Sequence, residues 1–272
     1  MAEPVTVPGV RSRKRAHGAD PLVMLTAYDT PGARIADAAG VDIILVGDSL
    51  ANVVLGHDDT LHVDVGVMVH HVGAVARSRP SALVVADMPW LSYHLSTEDA
   101  VRNAGALVRA GAGAVKLEGG ARRAPVVEAL VGAEIPVMGH LGLTPQSVHT
   151  MGGYKVQAKE QAAAEALLLD AKALAGAGCF AVVLEGVPDV VAARVTDVLD
   201  IPTIGIGAGG SCDGQVLVFH DLLGLTQGRA PKFVRRYADL HGTAVAAVGA
   251  WAADVRAGTF PSDGETYHLP AR

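Results

Sequence analysis

The sequence predicts an α/β fold: a TIM (β/α)8 barrel in a single domain, with an N-terminal capping segment. Three observations predict it. Short apolar runs recur, and each ends in one ionisable residue: Val41–Asp48 (VDIILVGD), Ser81–Asp87 (SALVVAD), Gly113–Glu118 (GAVKLE), Ile135–His140 (IPVMGH) and Cys179–Glu185 (CFAVVLE). Strand-like runs alternate with helical patterns about eight times, the signature of a parallel sheet with helical crossovers. The chain has 272 residues, close to the ~250 typical of one barrel. Aliphatic and β-branched runs fit strands covered on both faces. An ionised group at the end of such a run is costly unless it meets water, a cation or a hydrogen-bond donor. An open doubly wound sheet concentrates its site at one switch point, whereas a barrel collects side chains from many strand ends. Ionisable residues at successive strand ends therefore favour the barrel.

Each element follows in order. Residues 1–20 are polar, with Pro4, Pro8, Gly9 and Gly18, and are expected to form a tail and a short helix covering one barrel end. Leu22–Ala27 is the first strand. Thr30 is expected to cap a helix with Pro31 at its first position, ending near Gly40. The second strand, Val41–Asp48, leads into a long connection, Ser49–Asp64, and loops of that length in a compact domain are usually functional. A helix over 65–77 precedes the third strand. Ser96-Thr97-Glu98-Asp99 reads as a helix start with acids in its first turn, and that helix runs to Ala110. The fourth strand, the helix Arg122–Val131 and the fifth strand follow. Leu141–Lys159 is a second long loop, in which Thr144–Ser147 is a helix start or turn. Then come the helix Gln161–Ala177, the sixth strand, the helix Pro188–Leu199, the strand Ile201–Ile206 and an eighth strand at Val216–Phe219. Arg236–Ala257 closes the chain as a helix, with Gly258 and Pro261 beyond it. No linker or low-complexity segment interrupts this order, so residues 1–272 read as one catalytic domain.

Composition excludes several function classes. The net charge is −6, which argues against a nucleic-acid partner, since phosphate binding wants a basic stripe. The run Arg11–Arg15 (RSRKR) reads as a solvated N-terminal face. Cys179 and Cys212 lack metal-ligand spacing and imply a reducing compartment without a disulfide framework. Cys179, at a strand start, reads as a small buried hydrophobe. No secretory pattern opens the chain, and no apolar stretch reaches the ~20 residues of a membrane span. The expectation is a cytoplasmic protein with no membrane partner.

The strand ends carry the chemistry. Asp48, Asp87 and Glu118 follow strands two, three and four, so barrel closure sets three carboxylates around one edge of the mouth. Close anions repel, and a hard divalent cation such as Mg²⁺ resolves the conflict with all-oxygen ligands. The bland reading is that these acids cap helices or pair with bases. Lys116 lies two residues before Glu118 and faces the same side of its strand. A buried Lys there needs an anion: a substrate carboxylate, or a structural partner in Glu118 or Asp87; a Schiff-base role ranks lower. His140 and Glu185 sit across the mouth. Glu185 follows the apolar run Phe180–Leu184, a setting that suits a general base. His140 alone would read as a core imidazole; in this series it reads as a site residue. The run Gly205–Gly210 (GIGAGG) has the wrong spacing and place for a dinucleotide site and reads as a tight turn. His57, Asp58, Asp59 and His62 imitate a zinc site, but in a polar loop they read better as a solvated lid.

These residues occur in linked motifs: LTAYD (Leu25–Asp29), VGDS (Val46–Ser49), ADMP (Ala86–Pro89), VKLEG (Val115–Gly119), GHLGLTPQ (Gly139–Gln146), GGYKVQ (Gly152–Gln157), GIGAG (Gly205–Gly209) and CDGQVL (Cys212–Leu217). In this order they closely resemble the 3-methyl-2-oxobutanoate hydroxymethyltransferase (ketopantoate hydroxymethyltransferase) family, from Val5 to Pro261. The resemblance implies a TIM barrel and Mg²⁺-dependent transfer of a one-carbon unit from 5,10-methylenetetrahydrofolate to 3-methyl-2-oxobutanoate. It implies metal-site roles for Asp48, Asp87 and Glu118, the last directly or through water. It implies that Asp48, Ser49, Asp87 and Lys116 contact the 2-oxo acid, with His140 beside it, and that Glu185 accepts the proton. It also implies a cytoplasmic homo-oligomer, usually a decamer. The alternative is a Mg²⁺-dependent 2-oxo-acid lyase or aldolase of the isocitrate lyase and phosphoenolpyruvate mutase type, which uses no folate. Two positions depart from the family pattern: His62 stands where Pro is common, and Ala158 where Gly is common.

Overall fold

Eight parallel strands pair in sequence order and close on themselves. They are β1 (Leu22–Thr26), β2 (Ile43–Val46), β3 (Leu83–Asp87), β4 (Ala114–Glu118), β5 (Val137–Gly142), β6 (Ala181–Glu185), β7 (Thr203–Ile206) and β8 (Gly214–Leu217). This computed structural model describes residues 3–228 and 230–269. Of the expected tail, Met1 and Ala2 lie outside the described residues, as do Arg229 and 270–272 of the expected domain. The chain forms two compact units, one ending at Phe219 and one beginning at His220.

The first unit holds the barrel. Strands β2, β3 and β4 are buried at every position, which is why their sequences are unbroken apolar runs rather than alternating ones. Inward residues such as Met24, Ile43, Val85, Met138 and Val183 form the interior core, and Val10, Val5 and Val7 from the N-terminal segment pack against it. That segment is a short helix, α1 (Val7–Arg11), and a turn at Arg15–His17. It therefore caps the barrel floor, as expected.

Helices α2 (Thr30–Ala38), α3 (Leu50–Val53), α4 (Val65–Ala76), α5 (Thr97–Arg109), α6 (Ala124–Gly132), α7 (Val148–Met151), α8 (Gln161–Gly176), α9 (Asp189–Val198) and α10 (Phe219–Leu222) fill the connections. The long ones are amphipathic at helical spacing: α8 buries Ala164, Leu167, Ala171 and Leu174 on one stripe. Ser96 caps α5 as expected, accepting from the Asp99 N–H at 3.1 Å. Two expectations need correction. Asp29, not Thr30, caps α2: its carboxylate accepts from the Gly32 N–H at 2.7 Å, and Thr30 instead donates to the Ala74 carbonyl. A carboxylate at this position also faces the positive helix end. The eighth strand begins two residues earlier than expected, at Gly214, because it must pair with Leu22 of β1, and Phe219 starts a helix.

The second unit carries α11 (Leu240–Ala257), with Asp239 capping its start and Gly258 ending it in the left-handed conformation at φ +71°. The expected start at Arg236 is thus four residues early, since the cap needs the carboxylate of Asp239 (Gly242 N–H at 3.0 Å).

Candidate active site

The C-terminal strand ends converge, and the register explains how. Asp87 on β3 lies beside Lys116 on β4, and Glu118 lies beside His140 on β5. Two residues farther along, Gly142 lies beside Glu185 on β6. Alternation along a strand keeps Lys116 and Glu118 on one face, and His140 with them across the next pair. Gly142 is obligatory there: its φ is +90°, and a Cβ would stand 2.2 Å from the Glu185 carbonyl oxygen.

All seven residues singled out from the sequence sit at this mouth. Asp48 follows β2, and its N–H donates to Asp87 Oδ2 at 3.0 Å. Asp87 Oδ1 pairs with Lys116 Nζ at 2.7 Å. This settles the structural partner of Lys116 among the alternatives the sequence leaves open. Lys116 Nζ also lies 3.0 Å from His140 Nδ1. The same nitrogen lies 3.3 Å from Glu118 Oε1, and His140 Nε2 lies 3.1 Å from Glu185 Oε2. The last is an ion-pair distance rather than an aligned hydrogen bond. Ser49 Oγ bonds the Tyr28 hydroxyl at 2.8 Å. Asp48, Asp87, Lys116, Glu118 and His140 are each under 5 % exposed.

Electrostatics follow from that burial. Desolvation raises the pKa of Asp48 well above the carboxylate range, and the charges of Asp87 and Glu118 raise it further; Lys116 and Gln146 oppose them only in part. Desolvation acts to discharge Lys116, but Asp87, Glu118 and Asp48 outweigh it and hold the ammonium charged. For His140, burial and the Lys116 charge disfavour a proton, yet Glu118 and Glu185 prevail and lift its pKa to about 9. Neutral, its Nδ1 accepts from Lys116; protonated, it donates to Glu118. The imidazole can therefore take up or release a proton without moving.

The carboxylate-rich set suits a hard cation. Three buried acids face one ammonium, and every candidate ligand atom is oxygen. Among the described residues, no three His, Cys, Asp or Glu side chains converge as a ready-made metal cluster. An all-oxygen set would suit a hard cation such as Mg²⁺, which binds one or two carboxylates and keeps waters and substrate oxygens as its other ligands. In the loop that imitates a zinc site, Asp59 accepts from the Leu61 N–H and contacts His62 Nδ1, both at 2.9 Å, while His62 stacks on His57.

Sequence reasoning missed two residues. Gln146, in the loop after β5, donates from Nε2 to Asp48 Oδ2 at 2.8 Å and from its backbone N–H to Glu118 Oε2 at 3.0 Å. Tyr93, in the loop after β3, donates to Gln146 Oε1 at 2.6 Å. Both are buried. The available signal was a Gln inside GHLGLTPQ, directly after a strand end that carries a site residue. The two long loops also meet over the mouth: the turn Thr60–His62 packs on the turn Pro145–Ser147. Ala158, in the second loop, adopts φ +54°, the left-handed conformation that glycine takes without strain.

Known proteins resemble this chain in sequence and in fold. The family model described as ketopantoate hydroxymethyltransferase matches residues 4–263. A 3-methyl-2-oxobutanoate hydroxymethyltransferase of Methylobacterium sp. (strain 4-46) is 61% identical over 249 residues, 92% of this chain and 86% of the relative. One from Geotalea daltonii is 52% identical, covering 98% of this chain and 100% of the relative. Among solved structures, 2,3-dimethylmalate lyase, a PEP mutase/isocitrate lyase superfamily member, superposes with a TM-score of 0.61 at 20% identity, covering 97% and 92% of the two chains. Phosphonopyruvate hydrolase in complex with oxalate and Mg²⁺ superposes with a TM-score of 0.61 at 13% identity, with the same coverage. At such identities the superpositions speak for the barrel alone.

Proposed function

The chain belongs to the ketopantoate hydroxymethyltransferase family, and from that we infer that it transfers a hydroxymethyl group to 3-methyl-2-oxobutanoate, giving 2-dehydropantoate. The observation that carries the residue-level reading is the file Asp87–Lys116–His140–Glu185, buried up to the partly exposed Glu185 and flanked by Asp48 and Glu118. Our reading adds 5,10-methylenetetrahydrofolate as the one-carbon donor and Mg²⁺ as the cation. Asp48 and Asp87 would hold the cation, with Glu118 engaged directly or through water. When bound, it supplies Lewis acidity to the carboxylate and keto oxygens of the 2-oxo acid.

The chain's own residues do the rest. Asp48, Ser49, Asp87 and Lys116 bind and orient the 2-oxo acid, with His140 beside it. Glu185 removes the C3 proton, with His140 Nε2 3.1 Å from its carboxylate. Lys116 holds positive charge in a buried setting, where it stabilises the enolate most strongly. The enolate carbon forms its bond to the folate-borne methylene carbon, both methylene–nitrogen bonds break, water supplies the hydroxyl group, and the C3 proton and the other water proton end on the two folate nitrogens. A folate-free lyase would share the barrel and the acids, but the full-length sequence relatives are transferases.

The remaining partners follow the same reading: no nucleic acid, a cytoplasmic setting, and a homo-oligomer, a decamer if the family pattern holds. In support, α11 leaves Val245, Val248, Trp251 and Val255 exposed, and no described helix is long and apolar enough to cross a membrane.

The decisive experiment is C3–H exchange of 3-methyl-2-oxobutanoate in D2O, followed by proton NMR, with and without Mg²⁺ and tetrahydrofolate. The wild type should exchange only with the cation. Glu185→Gln should bind the 2-oxo acid within about threefold of wild type but exchange at least ~100-fold more slowly. Wild-type exchange in that variant would remove Glu185 as the base.

A further inference from the structure

We propose that Gln146 is a positioning residue for the cation, holding Asp48 and Glu118 in place while Tyr93 fixes the direction of its amide. The proposal rests on the cation-assisted reading above. An amide's oxygen and nitrogen are told apart only by their partners, and here the partners decide from both ends. The Glu118 backbone N–H can only donate, and it donates to the Tyr93 oxygen at 3.2 Å. The Tyr93 proton therefore points to Gln146 at 2.6 Å, so the Gln146 atom there is the accepting Oε1. At the other end, the Met88 carbonyl can only accept, and it accepts from Nε2 at 3.0 Å. Nε2 is thus forced onto Asp48 Oδ2 at 2.8 Å.

The same residue reaches a second acid through its main chain, at Glu118 Oε2. Asp48 and Glu118 come from β2 and β4, on either side of β3, so Gln146 ties together two acids that no strand pairing joins. Both hydrogen bonds come from neutral donors. They hold the carboxylates but leave their charge for a cation, which a lysine in the same place would not do. One oxygen of Asp48 is committed to Gln146; the other is the ligand. Tyr93 touches neither cation nor substrate in this scheme and acts through Gln146.

The test is Mn²⁺ affinity of the full-length protein without substrate, read from the EPR signal of free Mn²⁺. Gln146→Met keeps the backbone donor and loses all three side-chain bonds; its Mn²⁺ Kd should rise about tenfold or more, the scale of a hydrogen bond to a charged group. Tyr93→Phe removes one oxygen and should raise the Kd about threefold, the scale of a neutral bond. The double variant should bind no more weakly than Gln146→Met. A purely structural role would lower the melting temperature of the cation-free protein and leave the Kd unchanged, and that result overturns the proposal. If Gln146→Met does not fold, Tyr93→Phe decides by the same comparison. Failure of the wild type to bind Mn²⁺ would overturn the cation reading itself. Wild-type binding with unchanged variants would overturn only the role of Gln146.

Discussion

The barrel holds a buried lysine–aspartate pair at each end, and the two are nearly identical in geometry. Lys116–Asp87 at the mouth measures 2.7 Å, and Lys14–Asp213 at the floor measures 2.8 Å. All four side chains are at most 5 % exposed. Their surroundings differ. At the floor, Lys14 also donates to the Thr196 carbonyl, and Asp213 accepts from the backbone N–H groups of Thr203 and Arg15. One acid meets one base, and their remaining capacity is taken up by neutral neighbours. At the mouth, the lysine faces Asp48 and Glu118 as well, and His140 competes for the same ammonium. A buried ion pair is thus no mark of function by itself. Uncompensated like charge around the pair is the better mark.

The sharpest way to break this comparison is to delete each lysine. Lys116→Met should lower kcat/KM by about three orders of magnitude, and its melting temperature should rise strongly on adding Mg²⁺, since the cation replaces the lost charge. Lys14→Met should cost about 3–5 kcal/mol in urea denaturation, the price of stranding a buried carboxylate, with no rescue by Mg²⁺ and unchanged kcat/KM for the folded fraction. Equal responses to Mg²⁺ would erase the distinction between the two ends.

A gentler probe addresses the mouth alone. A Cβ on Gly47 would stand 2.9 Å from Ser49 Oγ and 3.4 Å from Asp87 Oδ2. Gly47→Ala should turn Ser49 away from Tyr28 and raise the KM for the 2-oxo acid about tenfold, at the scale of one lost hydrogen bond to a charged group, with kcat and stability little changed. An unaltered KM would argue that Ser49 does not contact the substrate. The smallest effect concerns strain. Ala158 holds φ +54° in a mouth loop. Ala158→Gly should raise stability by up to ~1 kcal/mol, because relief of the left-handed conformation slightly exceeds the added freedom of the unfolded chain. A lower melting temperature would show that the loop needs the methyl group.

How much of this was legible from sequence depends on the range of the interactions. Strand ends were readable because an apolar run broken by an acid is a local pattern, and the barrel turns that pattern into proximity without further information. Asp48, Asp87, Lys116, Glu118, His140 and Glu185 were found that way. Gln146 and Tyr93 were not, because each lies in a loop whose path depends on the other loop. Nothing in the spacing of Tyr93 and Gln146, 53 residues apart, announces their contact. The misplaced cap of α2 has a different cause. Asp29 and Thr30 are both good capping residues, and only the Thr30 bond to Ala74 in α4 selects between them. The start of β8 was missed because Gly214 has no strand propensity of its own and is drawn into the sheet by Leu22.

The floor pair has one more consequence, for the order in which the protein assembles. Lys14 and Asp213 are 199 residues apart, and the neighbouring ladder joins Leu22 to Gly214. Bringing such distant segments together costs about 5 kcal/mol of chain entropy by the logarithmic loop law. The strands β2 through β6, which bear the acids, the lysine and the imidazole, all precede residue 213 in the chain, so they can pair before the ring closes. Closure is the slow, non-local step, and the clasp that completes it is made from the part of the molecule with no chemistry to perform.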